Sequence, residues 1–246
     1  ALGRQVSFDN YKRGIAQELT FPLNTRVSRT LDNNGWITST TTANRHTTTY
    51  QYDSMGRTTQ IDPPGTRATT TISYSNLGSG LVETATTGNQ RVTTNYDGLY
   101  RPYLVATQAI SGGGGTIYNR TQYAGLNRPF FQSFPSFSSN ATTGVETSYD
   151  GLGRVIRERE NVSPYATTNS SYLSGSRIRV ADPEGYLTST TYSGYGGPAD
   201  GNPIRTDQPE GVSTSMSYDI FGNLLNATQS GITQTWAYDN RLRLQS

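Results

Sequence analysis

The sequence contains no cysteine. This absence excludes disulfides, thiol nucleophiles and cysteine-ligated zinc sites. His46 is the only histidine. Because it has no recognisable partner in the sequence, we expect an exposed imidazole without a catalytic role. There is also no apolar run long enough to span a membrane as a helix.

Lysine is almost as rare, because Lys12 is the only one. The positive charges are therefore arginines, and they are spread along the chain beside acidic residues rather than clustered. A dispersed pattern of this kind argues against nucleic-acid binding. Arginine suits stacking and bidentate pairing better than lysine does.

The chain is also poor in hydrophobic residues, at 32%, and in charged residues, at 15%. Low hydrophobicity favours disorder only when it comes with high net charge and few aromatic residues. Here the net charge is +2 and there are 17 tyrosines. Because Tyr and Thr favour strands, the composition predicts a polar all-β protein.

A six-residue motif, Tyr-Asp-Gly-Leu-Gly-Arg at Tyr149–Arg154, recurs along the chain in near copies. Recurrence of a short motif along a chain is typical of repeat architectures. Tyr123–Arg128 is a decayed copy without the Asp. The predicted repeat-turn residues are Tyr52, Asp53, Gly56, Arg57, Tyr96, Asp97, Arg101, Tyr149, Asp150, Gly153, Arg154, Tyr218, Asp219, Gly222, Tyr238 and Asp239.

The motif is interpreted as a hairpin turn. Asp favours the first position of a type I turn, and Gly favours the fourth, where a positive φ carries no steric cost. Tyr149 would then end one strand and Arg154 would begin the next. We expect their side chains to face each other, as a Tyr–Arg stack or with an Asp–Arg pair.

A second kind of turn alternates with the first, at Asp62–Gly65, Asp182–Gly185 and Gln208–Gly211. In the last two, Pro at the second position and Gly at the fourth indicate a type I turn. The repeating unit is therefore turn, strand, Tyr, turn, strand. This pattern predicts an all-β fold in which repetitive antiparallel β-hairpins form a spiral or meandering sheet, as a segment of a β-shell or rod.

Several local predictions follow from alternation and turn signals. Ile15–Phe21 is either a short helix or, as we favour, a strand. Asp9–Arg13 is expected to be a loose turn, and Ala43–Arg45 is expected to break the threonine-rich stretch around it. Phe130–Phe137, rich in phenylalanine, is either a ligand platform or, as we favour, a strand that covers the sheet.

Tyr-Asp-x-x-Gly-Arg at this interval, with intervening Asp-Pro-Glu-Gly turns, resembles the YD repeats of the bacterial Rhs family. These repeats also occur in the C components of insecticidal toxin complexes and in teneurins. The resemblance covers nearly the whole chain. It implies a long sheet of hairpins that winds in a spiral and can close into a hollow shell, which in toxin members encloses a C-terminal toxic polypeptide. Other members are cell-surface proteins described as carbohydrate-binding or adhesive.

The chain departs from the family pattern in length and in its ends. It is too short for a closed cage and lacks the Asp-Pro-rich core segment at which toxin-bearing members self-cleave, so no protease residue is carried over. Ala1–Arg4 match the tail of the motif. We therefore expect residues 1–246 to be a single YD-repeat array that begins and ends inside repeats.

The leading functional hypothesis is a non-enzymatic structural segment of a secreted or cell-surface bacterial protein. It would form a β-spiral wall that encapsulates or displays a polymorphic toxin. The expected partners are the remainder of a longer repeat chain or neighbouring subunits, together with an enclosed toxin polypeptide or surface glycans. We expect no nucleic acid and no membrane span.

The alternative hypothesis is a cell-surface adhesin or carbohydrate-binding repeat module that assembles end to end into filaments. Trp36 and Trp236 are its candidate glycan-stacking residues, although packing inside the repeats also explains both.

An enzyme is the weakest hypothesis, because turn chemistry explains each motif Asp. The glycine run Gly112–Gly115 lacks the Lys-Ser/Thr of a phosphate loop, and Asp32–Gly35 is too short for a calcium loop. We therefore expect no catalytic, cofactor-binding or metal-binding residue.

Overall fold

The computed structural model describes residues 5–75, 80–194 and 201–245. The motif tail predicted at Ala1–Arg4 lies outside the described residues. The described part forms 21 β-strands joined by turns and short 3-10 segments, and it contains no α-helix. The predicted all-β fold of repetitive antiparallel hairpins is therefore confirmed.

The chain divides into two compact units, one within residues 1–121 and 135–141 and the other within 122–134 and 142–246. The strands of the first unit, of which the last runs two residues into the second, are β1 (Ser7–Lys12), β2 (Ile15–Phe21), β3 (Thr25–Leu31), β4 (Ile37–Thr41), β5 (Thr47–Tyr52), β6 (Thr58–Asp62), β7 (Thr70–Ser75), β8 (Val82–Thr87), β9 (Gln90–Tyr96), β10 (Pro102–Ala109) and β11 (Ile117–Tyr123). The strands of the second unit are β12 (Pro129–Ser133), β13 (Gly144–Tyr149), β14 (Val155–Glu160), β15 (Thr167–Leu173), β16 (Arg177–Ala181), β17 (Leu187–Tyr192), β18 (Pro203–Asp207), β19 (Ser213–Tyr218), β20 (Leu224–Gln229) and β21 (Ile232–Thr235).

Each unit is an antiparallel meander in which strands pair with their neighbours in sequence. In the first unit the pairing runs without interruption from β1 to β11. In the second it runs from β12 to β21. Successive turns of a meander alternate between the two ends of the strands. All turns of one kind therefore lie at the same end of the strands.

The two faces of the first ladder differ in chemistry. Side chains alternate between faces along a strand, and in β5 exposed and half-buried residues alternate accordingly. The half-buried face pairs Tyr50 with Ile61 across β5 and β6. The opposite face carries hydroxyls, as where Thr41 and Thr47 approach to 2.8 Å between their Oγ1 atoms.

Few side chains are fully buried. Among the described residues, the buried apolar ones are Ala16, Leu31, Phe131 and Ala141. Most strand residues are half-buried, so ladder hydrogen bonds and cross-strand pairs stabilise these hairpins more than a deep apolar core does.

Two local predictions, of one strand and one turn, are confirmed, and a third is wrong. Ile15–Phe21 is a strand, and the chain turns at Ala43–Arg45 between β4 and β5. The loose turn expected at Asp9–Arg13 is not there, because β1 continues to Lys12. The reversal is made by Arg13 and Gly14, whose φ angles are 49° and 79°. Positive φ at both central residues is the signature of a two-residue type I′ hairpin.

Two further predictions are corrected. The strand expected over Phe130–Phe137 ends at Ser133, since Pro135 has no N–H to donate to a ladder. Gln208–Gly211 is not a type I turn, because Glu210 at its third position has a φ of 65°. A positive φ at that position is a type II feature.

Candidate functional site

The Tyr-Asp turn closes through two backbone hydrogen bonds. In the copy at Asp150, the Gly153 N–H donates to the Asp150 carbonyl at 2.9 Å, and the Asp150 N–H donates to the Arg154 carbonyl at 2.9 Å. Gly153 has a φ of +85°. A type I turn followed by a left-handed residue and a bulge is a recurrent hairpin connection, and the ladder shifts register between Ser148 and Tyr149.

The Asp150 carboxylate is fully engaged inside its own turn. Its Oδ1 accepts the Leu152 N–H at 3.0 Å and the Arg154 N–H at 2.9 Å. Its Oδ2 accepts Nε and Nη2 of Arg154, each at 2.7 Å. This is the bidentate arginine–carboxylate geometry, which is stronger than a single contact.

The other copies repeat this arrangement. Three of them make the same backbone and bidentate contacts, and they are Asp53 with Arg57, Asp97 with Arg101, and Asp239 with Arg243. In the copy at Asp219, Asn223 replaces the arginine and donates through Nδ2 at 2.8 Å. In the copy at Asp97, Tyr100 occupies the glycine position with a φ of 58°.

These contacts lower the pKa of the motif carboxyls. The Arg154 backbone N–H, together with the guanidinium of the same residue, holds the pKa of Asp150 below its ordinary value despite partial desolvation. The pKa values of Asp53, Asp97, Asp219 and Asp239 are lowered by hydrogen bonds from the equivalent residues. A general acid needs a carboxyl whose pKa is raised toward the working pH, so these groups are poorly suited to acid–base catalysis.

Arg57 and Arg154 each stack on the tyrosine of the following hairpin, not on the tyrosine of their own turn. The Arg154 Cζ lies 4.0 Å from the centre of the Tyr172 ring, and the Arg57 Cζ lies 4.3 Å from that of Tyr74. Of the two alternatives expected within the turn, the Asp–Arg pair is the one present, and Arg154 stacks on Tyr172 rather than on Tyr149. The pairing with Asp150 orients the guanidinium toward the next hairpin.

The tyrosine hydroxyls reach in the opposite direction along the chain. Tyr172 donates to the Val155 carbonyl at 3.2 Å and Tyr149 to the Pro129 carbonyl at 2.7 Å. The same bond joins Tyr52 to Ile37, Tyr74 to Thr58, and Tyr218 to Pro203. We call the set of Asp150, Arg154 and Tyr172, and its equivalents, the inter-hairpin clamp. At Tyr74 and at Tyr172 it connects a hairpin to its neighbour through one stack and one hydrogen bond.

The structure shows a further copy that the sequence reasoning treated only as a turn. The Asp32 N–H donates to the Trp36 carbonyl at 3.0 Å, so Trp36 occupies the arginine position. Its ring lies 5.5 Å from the ring of Tyr52 in the next such turn. The Asp-x-x-Gly spacing of Asp32–Gly35 was the signal that could have identified this copy.

At Gly56 and Gly153, the glycine also leaves space for a side chain of the preceding turn. A Cβ on Gly56 would lie 2.9 Å from Cζ2 of Trp36, and a Cβ on Gly153 would collide with the guanidinium of Arg128. The ring of Trp36 is therefore enclosed between two residues of the next turn. The other candidate stacking residue, Trp236, lies in the other unit, where its N–H donates to the Leu225 carbonyl at 2.9 Å.

Other candidate chemistry has no structural counterpart in the described ranges. Within residues 5–75, 80–194 and 201–245, no group of three or more His, Asp or Glu side chains could hold a metal ion. No described helix has the length and apolar character needed to cross a membrane. His46 is exposed in the turn before β5.

Comparison with known proteins gives one family and one fold. Residues 32–68, which contain the turns at Asp32 and Asp53, match the family described as RHS Repeat. The resemblance to Rhs-type YD repeats is therefore confirmed. No curated protein matches the chain.

Solved structures of Tc toxins share the fold. A crystal structure of TcdB2-TccC3 without its hypervariable C-terminal region aligns with a TM-score of 0.70 at 12% identity, over 94% of this chain and 13% of that chain. A Photorhabdus luminescens Tc holotoxin pore aligns with a TM-score of 0.71 at 14% identity, over the same shares. The chain thus spans about 13% of the length of the structures it resembles.

Proposed function

We propose, from the premise that this chain carries Rhs-type YD repeats, that it is a non-enzymatic wall segment of an exported bacterial protein. The wall would be a β-spiral that encapsulates or displays a polymorphic toxin. The observation that carries the proposal is the inter-hairpin clamp, seen at Arg57–Tyr74 and at Arg154–Tyr172. In a repeat array, such contacts between neighbouring units supply much of the stability.

The clamp explains how a thin sheet can be stiff. The arginine is held in place by its own aspartate and covers the next tyrosine, so bending the sheet between two hairpins would break the stack and the tyrosine hydrogen bond. Double use of a planar guanidinium is a property that lysine does not share. The motif residues therefore act together as a mechanical device.

The engagement of the carboxylates supports a role without chemistry. Each paired motif Asp accepts backbone and side-chain donors in its own turn. Closing the turn and pairing with the arginine explain the motif aspartates, and we assign them no catalytic role.

Similarity to Tc toxin structures supports a wall that lies beside a variable polypeptide. The similar TcdB2-TccC3 structure is described as lacking a hypervariable C-terminal region, and we propose that this chain likewise lies beside a variable polypeptide. Because the chain spans about 13% of such structures, closure would need more repeat chain or neighbouring subunits. We propose residues 1–246 as a single array within that wall, in a secreted or cell-surface protein.

Electron cryo-microscopy of the whole native protein, combined with protease protection, tests this function. We expect this segment to be strand-paired with further chain at both ends, in a wall around a protease-resistant polypeptide. Replacing Arg154 and Tyr172 by Ala should make that polypeptide accessible, whereas Arg157→Ala, at an exposed position of β14, should not. A rod without an enclosed volume, and with no protected polypeptide, would refute encapsulation and favour the adhesin.

A further inference from the structure

One face of the ladder in the second unit is rich in arginine. Residues two apart on a strand share a face. Arg177 and Arg179 of β16 therefore lie on one face, and Ile178, the cross-strand partner of the clamp residue Tyr172, lies on the other. Arginine thus predominates on the face that the clamp does not use. The charged strand residues of that face are Glu146, Arg157, Arg159, Arg177, Arg179, Arg205 and Asp207.

Three of these arginines are neighbours on the ladder, and we call Arg177, Arg179 and Arg205 the arginine patch. Thr191 of β17 pairs with Arg177 on one side and with Arg205 on the other. The Cα atoms of Arg177 and Arg205 are therefore about 10 Å apart, which is two strand spacings. Arg179 follows Arg177 by two residues, at about 7 Å. At these distances the three long side chains can reach the same ligand.

The described part of the sheet does not neutralise this patch. Nε of Arg205 lies 2.8 Å from Oδ1 of Asp207, and the Arg205 side chain is still 59% exposed. Arg177 and Arg179 form no ion pair within the described residues. Because opposite charges across a ladder stabilise a sheet, the hairpins themselves do not explain this excess of arginine. The residues that pair with the patch across the ladder are uncharged, and they are Ser171, Leu173, Ser189, Thr191 and Ser215.

Arg177 adds an observation that does not depend on the balance of charge. Its Nε is buried and has no hydrogen-bond partner among the described residues. Buried donors are nearly always hydrogen-bonded, and an unpaired one in a native protein points to strain, to an ordered water or to a bound ion. Arg179, its neighbour on β16, is half-buried. The patch is therefore partly desolvated, and a guanidinium in such surroundings attracts an anion more strongly than one in bulk water does.

The spacing and the surroundings of the patch indicate the kind of anion. In an extended polypeptide, alternate side chains lie on one face about 7 Å apart, which matches the interval from Arg177 to Arg179. Guanidinium groups pair with carboxylates in a planar, bidentate geometry. The cross-strand partners of the patch include no aromatic ring, whereas single-stranded nucleic acid is bound through stacking on such rings. We propose that the arginine patch binds an extended acidic polypeptide segment, whose carboxylates on alternate residues pair with Arg177 and Arg179. This surface does not depend on the wall function.

Calorimetric titration of the whole chain with four probes at low salt tests the proposal. The probes are a peptide of alternating Glu and Ser, a peptide of alternating Gln and Ser with the same length, oligo-deoxythymidine, and vesicles that contain phosphatidylserine. We expect the Glu-Ser peptide to bind most tightly and the Gln-Ser peptide not to bind. Equal binding of the Gln-Ser peptide, or tighter binding of the oligonucleotide or the vesicles, would overturn the assignment, as would no binding of the Glu-Ser peptide.

Arg179→Gln separates the patch from the net charge of the chain. Its cross-strand partners are Ser171 and Ser189, so the melting temperature should change little. The affinity for the Glu-Ser peptide should fall about tenfold, the scale of one charge-assisted hydrogen bond. Arg67→Gln is the matched control, because it removes the same charge from an exposed position of the first unit, and it should leave the affinity unchanged. Equal losses in the two variants, or no loss in Arg179→Gln, would contradict binding at the patch.

Discussion

A single glycine in the Tyr-Asp turn meets two requirements at once. Gly153 has a φ of +85°, and the Arg128 guanidinium occupies the space that a Cβ would take. Gly185, in the other kind of turn, has a φ of +88° with no atom within 4 Å of such a Cβ. Comparing Gly153 with Gly185 therefore separates the requirement for a positive φ from the requirement for space beside the turn.

We predict that Gly153→Ala destabilises the protein more than Gly185→Ala does. Both substitutions carry the cost of a left-handed alanine, about 1 kcal/mol, but only the first displaces an arginine that lies over Tyr149. Urea unfolding of the two variants measures the difference. Equal losses would show that the φ requirement alone explains the repeated glycine.

The motif carboxyls predict an acid sensitivity. Their folded-state pKa values are depressed, so their contribution to stability is complete above the unfolded pKa of about 4 and is lost as the pH falls through the folded pKa. Melting temperatures should therefore be flat near neutrality and should fall steadily below about pH 4.

Asp150→Asn provides the control for that pH profile. The amide oxygen can still accept the backbone donors, but the variant has no carboxyl to titrate and no ion pair with Arg154. It should be less stable than the parent at pH 7, and this difference should shrink as the pH falls. A constant difference across the range would show that the ionisation of Asp150 does not contribute.

At the scale of the hairpin, the informative contact is the one between neighbours. Arg154 makes a bidentate pair inside its turn and a stack outside it, while Tyr172 returns a hydrogen bond to Val155. Strands β13–β14 and β15–β16 are therefore coupled beyond their ladder bonds. The coupling predicts that hairpins unfold together with their neighbours.

We predict that Arg154→Lys lowers the free energy of unfolding by about 1 kcal/mol. Lysine keeps the charge but loses both the planar stack on Tyr172 and the bidentate geometry. Arg157→Lys, on the same strand at an exposed position, is the control and should change little. In a double-mutant cycle with Tyr172→Leu, zero coupling would contradict the clamp.

At the scale of the whole molecule, the outer strands stand out. Among the described residues, β1 pairs only with β2 and β21 only with β20. All four residues of β21 are exposed, and Ile232 is 72% accessible. An unpaired, exposed edge strand is a template for further strand pairing. In the wall proposal, more chain or another subunit pairs with it.

We predict that the isolated chain associates with itself at high concentration, and that Ile232→Lys reduces this association, because a charge on an edge strand opposes pairing. Leu23→Lys is the matched control, since Leu23 is 99% accessible but lies in a turn rather than on an edge. Light scattering over a concentration series gives the mass. A parent chain that remains monomeric throughout would contradict edge pairing.

Much of the fold could be predicted because turn chemistry is local. Asp and Gly at fixed positions, with Tyr and Thr between them, indicate hairpins without reference to anything distant. Predictions were wrong where a local pattern allowed two solutions. Arg13-Gly14 reversed the chain more tightly than the loose turn expected, and Glu210 took a positive φ that no residue-type preference indicated.

The sequence by itself determined where the chain reverses and which family of repeats it resembles, because those properties depend on residues that are adjacent in the chain. The tertiary structure decided which side chains meet. Arg154 reaches Tyr172 rather than Tyr149, and Trp36 stands where an arginine would otherwise cover Tyr52. These contacts depend on ladder register and on the bulge at each turn, which set the distance between neighbouring hairpins.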